Sequence, residues 1–157
     1  MKAKVYLETT IPSYLTSRPS RDLLVAAHQQ LTGEWWNDHR HRFSLFISPR
    51  VLAEAGSGDS AAATRRLAEL EGIPVLAFTP EARLLVARFL GNGLIPDRSV
   101  EDAAHVAIAT VHSMDYLLTW NCRHIVNAEI MKRLAAVAAA EGYSLPVLCT
   151  PEQLMGE

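Results

Sequence analysis

A chain of 157 residues has the length of one domain, and such a domain buries roughly 70% of its unfolded surface, enough to fold without disulfides or a structural metal. Hydrophobic residues make up 49% and charged residues 20%, which excludes a disordered segment. A formal net charge of -2 excludes nucleic-acid binding by bulk electrostatics alone, but not a local site that brings its own cation.

No apolar run approaches the roughly 20 residues that cross a bilayer, so no membrane association is expected. The opening run Val5-Tyr6-Leu7 is too short for a signal-peptide core, and the expected compartment is the cytoplasm. Cys122 and Cys149 show neither CxxC nor Cys/His zinc spacing and are expected to be reduced and structural.

Taken in chain order, short β-rich runs alternate with helical segments. Residues 4–7 read as a first strand, 21–36 as a helix continuing toward His39, and 45–47 as a second strand. Ser48-Pro49 gives a cap followed by proline at the first helical position, opening a helix to about Ser57. Asp59 caps a helix over 60–71, and residues 75–78 form a third strand. Thr79-Pro80-Glu81 repeats the cap signal and opens a helix to Leu90, broken by Gly91-Asn92-Gly93. Ser99 caps a helix over 100–113. Residues 116–119 form a fourth strand, 128–141 a helix stopped by Gly142, and 147–149 a fifth strand before a last short helix at Pro151. Strands alternating with helices predict one α/β domain over residues 1–157 with a parallel sheet.

The helix over 100–113 is apolar nearly all round after its first turn, so it should be buried, yet it begins Glu101-Asp102. An acid in a first turn is favoured by the helix dipole, which explains one such residue. Glu8 directly follows the first strand, and Trp120-Asn121 follow the fourth. Glu54 lies on the helix after the second strand. In open parallel sheets ligands bind beyond the carboxyl ends of the strands, so Glu8, Glu54, Asp102 and Asn121 can be presented to one crevice. Grouped carboxylates repel unless a metal, a proton or a base joins them. Oxygen-only ligands suit Mg²⁺ or Mn²⁺, which can activate water and stabilise charge on a phosphodiester. Spacing alone leaves a second reading open, in which these acids are caps and solvated surface groups.

Specific stretches carry more information. The run from Val5 to Leu15, reading Val-Tyr-Leu-Glu-Thr-Thr-Ile-Pro-Ser-Tyr-Leu, resembles the opening of PIN domains. The stretch Asp102-Ala103-Ala104-His105 is similar to the PIN helix that begins Asp-Ala, and Asp115-Tyr116-Leu117-Leu118-Thr119-Trp120-Asn121 to the strand leading to the family's last polar site. The likeness spans nearly the whole chain, and the nearest relatives it suggests are PIN-domain toxins of VapBC-type toxin–antitoxin systems.

The resemblance implies a three-layer α/β/α sandwich around a five-stranded parallel sheet of order 3-2-1-4-5. It also implies Mg²⁺- or Mn²⁺-dependent endoribonuclease activity, a small antitoxin partner and a homodimer. The family's acids map onto Glu8, Glu54 and Asp102 as metal ligands, and its fourth position onto Asn121. Thr9, Thr10, His105 and Arg123 become candidate contacts to RNA, with other readings beside them: Thr9 or Thr10 bonded to Glu8, His105 against Asp102 or packed and satisfied in the core, and Arg123 in a solvated loop. Two departures lower the site's charge: Glu8 stands where Asp is usual, and Asn121 where Asp is common. His124 replaces an acid often found three residues beyond that position. A one-ion site is therefore easier to support than a two-ion site, and a catalytically weak or inactive RNA- or protein-binding module is the alternative. Of Trp35 and Trp36, one is expected to pack inward and the other to lie at a dimer surface.

Overall fold

The computed structural model describes residues 1–156. Four parallel strands form the sheet: β1 (Ala3–Leu7), β2 (Phe43–Phe46), β3 (Tyr116–Leu118) and β4 (Val147–Cys149), in the order β2-β1-β3-β4. Helices α1 (Thr10–Thr16) and α2 (Leu23–Glu34) connect β1 to β2. Helices α3 (Pro49–Ala55), α4 (Ser60–Leu70), α5 (Pro80–Gly91) and α6 (Val100–Val111) lie between β2 and β3, and α7 (Ala128–Ala140) between β3 and β4.

The centre of the sheet is β1, where Val5, Tyr6 and Leu7 have no exposed surface. A stretch covered on both faces must be apolar, and Val5-Tyr6-Leu7 is, apart from the tyrosine hydroxyl, while Ala3 and Lys4 at the start of the strand are only half-buried. It pairs with β2 through Val5–Leu45 and with β3 through Tyr6–Leu117. The chain leaves β1 toward β2 on one side and returns to β3 on the other. The order therefore reverses between β1 and β3, and a crevice opens beyond their carboxyl ends.

The expected third strand, residues 75–78, is reduced to a single bridge between Ile47 and Val75, so the sheet has four strands rather than five. Two bonds make the bridge: Ile47 N–H donates to the Pro74 carbonyl and Leu76 N–H to that of Ile47. Pairing stops there because Ser48 caps α3 and Pro49 starts it, leaving no extended partner. The Ala77 carbonyl turns instead to His112 Nε2 at 2.8 Å.

Other expectations shift by a few residues. Helix α2 starts at Leu23 because the Asp22 side chain caps Val25 N–H, and its continuation to His39 is a π-turn over Trp35–His39. Helix α1 has no counterpart among the expected elements. Its Pro12 is tolerated because first-turn N–H groups have no intrahelical partner. Ser99 makes no side-chain cap, since α6 grows from a 3₁₀ turn over Asp97–Ser99. Both Trp35 and Trp36 are buried, so neither is left at a surface, and Trp35 Nε1 donates to the Leu154 carbonyl at 3.2 Å. Cys149 is buried and its thiol is pushed up to about 12 by that burial, consistent with an inert packing role. No helix among the described residues is long and apolar enough to cross a membrane.

Candidate metal centre

At the carboxyl end of β1, the chain turns directly from Leu7 into Glu8, Thr9 and then α1. Glu8 is 5% exposed, and its Oε1 accepts three bonds: from Thr10 N–H at 3.0 Å, Thr10 Oγ1 at 2.5 Å and Thr119 Oγ1 at 2.7 Å. Oε2 has no hydrogen-bond partner among the described residues. The carboxylate is thus desolvated, held from one side, and left with an oxygen to spare.

Glu54, in the last turn of α3, repeats the arrangement. Its Oε1 accepts from Thr9 Oγ1 at 2.6 Å and pairs with His105 Nε2 at 2.5 Å, while Oε2 is free of protein partners among the described residues. One ligand atom each from Glu8, Glu54 and His105 lie within 4.8 Å of one another.

His105 is fully buried on α6, and its other nitrogen, Nδ1, lies 2.6 Å from the Tyr6 hydroxyl. That hydroxyl lies 2.7 Å from Ser48 Oγ, which in turn accepts from Val51 N–H. A continuous chain of hydrogen bonds therefore runs from the start of α3, through the core beneath β1, to the carboxylate of Glu54. Burial pushes the His105 imidazole toward its neutral form. The hydrogen bond to Glu54 and the charges of Glu8, Glu54 and Asp102 outweigh burial and raise its pKa. Burial likewise works to raise Glu54, but His105, Thr9 and Arg50 outweigh it and hold the carboxyl below its ordinary range. Both directions favour an ion pair. The Tyr6 hydroxyl is raised far above its ordinary value, by burial first and by the charges of Glu8, Glu54 and Glu101, against the opposing bond from Ser48. It keeps its proton.

Asp102, in the first turn of α6, pairs through Oδ2 with His124 Nδ1 at 2.8 Å. His124 is brought there by Asn121, whose Oδ1 accepts the N–H groups of Arg123 at 3.2 Å and His124 at 3.0 Å. Asn121 N–H donates to Thr119 Oγ1 at 2.9 Å, the same hydroxyl that holds Glu8.

The expected site residues therefore have distinct surroundings. Glu8 and Glu54 meet. Asp102 is tied to His124, and its charge is felt by His105. Asn121 spends its carbonyl oxygen on a turn rather than holding it free for a ligand. Thr9 and Thr10 direct their hydroxyls at Glu54 and Glu8, not outward at a phosphate. His105, read from the sequence as an RNA contact or as a packed, satisfied histidine, is fully buried with both ring nitrogens engaged, as the second reading has it. Arg123 is exposed, and its guanidinium has no partner among the described residues. Tyr6, Ser48 and Thr119 escaped sequence reasoning. The only signal was a lone tyrosine in a strand buried on both faces and a threonine at the end of another.

The donor set fits a hard divalent cation. Two carboxylates, each oriented through one oxygen and unpaired at the other, lie close together, Glu8 buried and Glu54 partly open to solvent. Such a pair calls for positive charge. His105 Nε2 is engaged by Glu54, which places the imidazole as a brace for that carboxylate.

The fold has a known counterpart. A chain in the crystal structure of VapBC2 from Rickettsia felis, bound to a DNA fragment from their promoter, matches with a TM-score of 0.54 at 18% identity. The match covers 94% of this chain and 98% of that one. At that identity the likeness concerns fold alone, and it agrees with the PIN-like architecture except for the reduced edge strand. No family model matches the sequence, and no curated protein does.

Proposed function

We propose that this chain is a PIN-like, metal-dependent endoribonuclease whose ion is held by Glu8 and Glu54, with Asp102 completing the acidic set. The observation that carries the reading is the pair of carboxylates with one oxygen each to spare, gathered beyond β1 at the point where strand order reverses. A bound Mg²⁺ or Mn²⁺ supplies the positive charge and the activation of water that hydrolysis of a phosphodiester needs. The chain's own residues do the positioning. Thr10 and Thr119 fix the rotamer of Glu8, and Thr9 and His105 fix that of Glu54. The Tyr6–Ser48 chain prevents the imidazole from turning away. Preorganised carboxylates of this kind need no rearrangement when the ion and substrate arrive.

The test is calorimetric titration with Mn²⁺ and Mg²⁺ of wild type, Glu8→Gln and Asp102→Asn, with RNA cleavage assayed in the same buffers. Wild type is expected to bind and cut, and both variants to lose at least about tenfold in metal affinity, on the scale seen when a ligand's surroundings are altered. A wild-type chain that neither binds metal nor cuts RNA ends the nuclease reading.

One observation favours a second reading, a catalytically weak or inactive binding module. Asn121 uses its carbonyl oxygen on backbone N–H groups, and His124 occupies one oxygen of Asp102, so the site offers fewer free oxygens than a four-acid set. Metal binding without cleavage is its signature. We extend the main reading to a small antitoxin partner and a homodimer. Support for the partner is the likeness to the VapBC2 complex, and the dimer rests on the resemblance to PIN domains. Sedimentation of the chain, alone and co-expressed with the product of a neighbouring small reading frame, tests both.

A further inference from the structure

Beside the acidic crevice, three aromatic rings lie nearly parallel. His28 stacks on Trp120 with ring centroids 4.0 Å apart and planes 11° from parallel. Tyr14 lies 6.2 Å from Trp120 at 14° and 6.3 Å from His28 at 19°. The arrangement is pinned from behind: Trp120 Nε1 donates to Thr32 Oγ1 at 2.8 Å, and Thr32 Oγ1 to the His28 carbonyl at 2.6 Å. His28 and Thr32 share one face of α2, four residues apart, and Leu24 continues that face outward at 66% exposure. Trp120 is buried, whereas Tyr14 and His28 are half-buried.

The rings are tied to the carboxylates. Trp120 N–H donates to Thr10 Oγ1 at 2.8 Å, and Thr10 Oγ1 donates to Glu8 at 2.5 Å. Tyr14 lies one helical turn beyond Thr10 on the same face of α1. Trp120 itself follows Thr119, so its Cα is roughly 3.8 Å from that of a residue bonded to Glu8. The aromatic ledge and the carboxylate pocket are therefore joined through Thr10 and Thr119. The loop between Tyr14 and His28 carries Arg18 and Arg21, both exposed, which supply cationic charge on a chain of negative net charge.

We infer that Tyr14 and His28, backed by Trp120, form a stacking subsite for a base of single-stranded nucleic acid next to the phosphate to be cut. The inference rests on the nuclease reading for the identity of the phosphate, but the ledge is tested independently. Stacking on aromatic faces accepts any base, because every base has a π-face, so the subsite adds affinity and register rather than sequence choice.

The experiment measures binding by fluorescence anisotropy, with Ca²⁺ as the cation. The probes are a fluorescein-labelled ribonucleotide tetramer and an abasic ribose-phosphate tetramer of equal charge. Wild type is expected to bind the base-bearing probe roughly tenfold or more tightly than the abasic one. Tyr14→Leu and His28→Leu, checked for folding by circular dichroism and thermal melting, are expected to reduce that ratio severalfold, and Tyr14→Phe to keep it. The proposal is overturned if wild type does not distinguish the two probes. It is also overturned if the folded leucine variants keep the full ratio, which would leave the ledge as packing or as a protein-docking face. Cleavage with Mn²⁺ is read separately. A chain that stacks bases but cuts nothing loses the nuclease reading and keeps the ledge. One that cuts RNA while its leucine variants keep the full base-dependent ratio loses the ledge alone.

Discussion

Helix α6 contributes to two carboxylate–histidine pairs less than one turn apart: His105 with Glu54, and Asp102 with His124. The chemistry is the same, with contacts of 2.5 Å and 2.8 Å. Their surroundings differ. The His105 side chain has no exposed surface, and both its nitrogens are engaged by protein groups. His124 is 15% and Asp102 22% exposed, so water can replace either partner. In the first pair the interaction orders a core network that reaches Tyr6 and Ser48. In the second it joins two part-buried side chains. A hydrogen bond gains structural weight from what is left unpaired when it is broken, and only the inner pair leaves buried atoms behind.

The largest expected effect follows from removing the inner histidine. His105→Ala opens a cavity and leaves the Tyr6 hydroxyl with Ser48 as its remaining partner, and is expected to cost about 3 kcal/mol or more by denaturant unfolding. Most of that comes from packing and the lost bond to the buried Tyr6 hydroxyl, since the Glu54 side chain is 35% exposed and can be hydrated. Equal losses for His105→Ala and His124→Ala would erase the distinction between the pairs.

Tyr6→Phe sharpens the comparison by deleting one hydroxyl that serves both His105 and Ser48. About 1–3 kcal/mol should be lost, with metal affinity reduced because Glu54 is less firmly oriented. Loss of stability without any change in Mn²⁺ binding would separate the network from the carboxylate it is argued to hold.

The pH dependence comes next. Glu54 is held below its ordinary value of 4.5, so its contribution is full above that pH and is lost as pH falls through the lowered pKa. His105 is raised above its ordinary 6.5, so its contribution is full below that pH and is lost as pH climbs through the raised pKa. The stability advantage of wild type over His105→Asn should therefore peak between about 4.5 and 6.5 and shrink on both sides. A difference that stays flat from pH 4 to pH 9 would mean that the pair is not ionic.

The smallest effects belong to the rim. Asn121→Ala removes the acceptor of two turn N–H groups and is expected to cost about 1 kcal/mol. His124→Ala should cost about 1 kcal/mol, less than His105→Ala, because the pair is part-buried and no core network hangs on it. If His124→Ala nevertheless changes cleavage strongly, Asp102 depends on that partner for its orientation at the site.

Much of this architecture could be read from local pattern. Ser48-Pro49, Asp59 and Thr79-Pro80 each cap the helix expected of them, because capping is settled within three residues. The central strands were legible because a strand buried on both faces must be apolar throughout, as Val5-Tyr6-Leu7 and Leu117-Leu118 are. The edge was not. Residues 75–78 have strand composition, but pairing depends on whether a partner backbone continues alongside, and Pro49 ends it. Helix α1 was hidden because Pro12 reads as a breaker unless its place in the first turn is known.

The site divides in the same way. By itself the sequence determined that Glu8 directly follows the first strand, that Glu54 and Asp102 ride on helices, and that these segments can share one crevice. Those placements follow from periodicity and from parallel-sheet connectivity. Only the tertiary structure decided which side chains serve the acids. Thr10 and Thr119 approach Glu8 from positions 2 and 111 residues away along the chain. His105 meets Glu54 across 51, and Tyr6 meets His105 across 99. Partners so far apart in sequence leave no local pattern, because their proximity is produced by packing of the whole sheet. The role of a buried histidine, ligand to substrate or brace for a carboxylate, is set by which groups that packing brings to its two nitrogens.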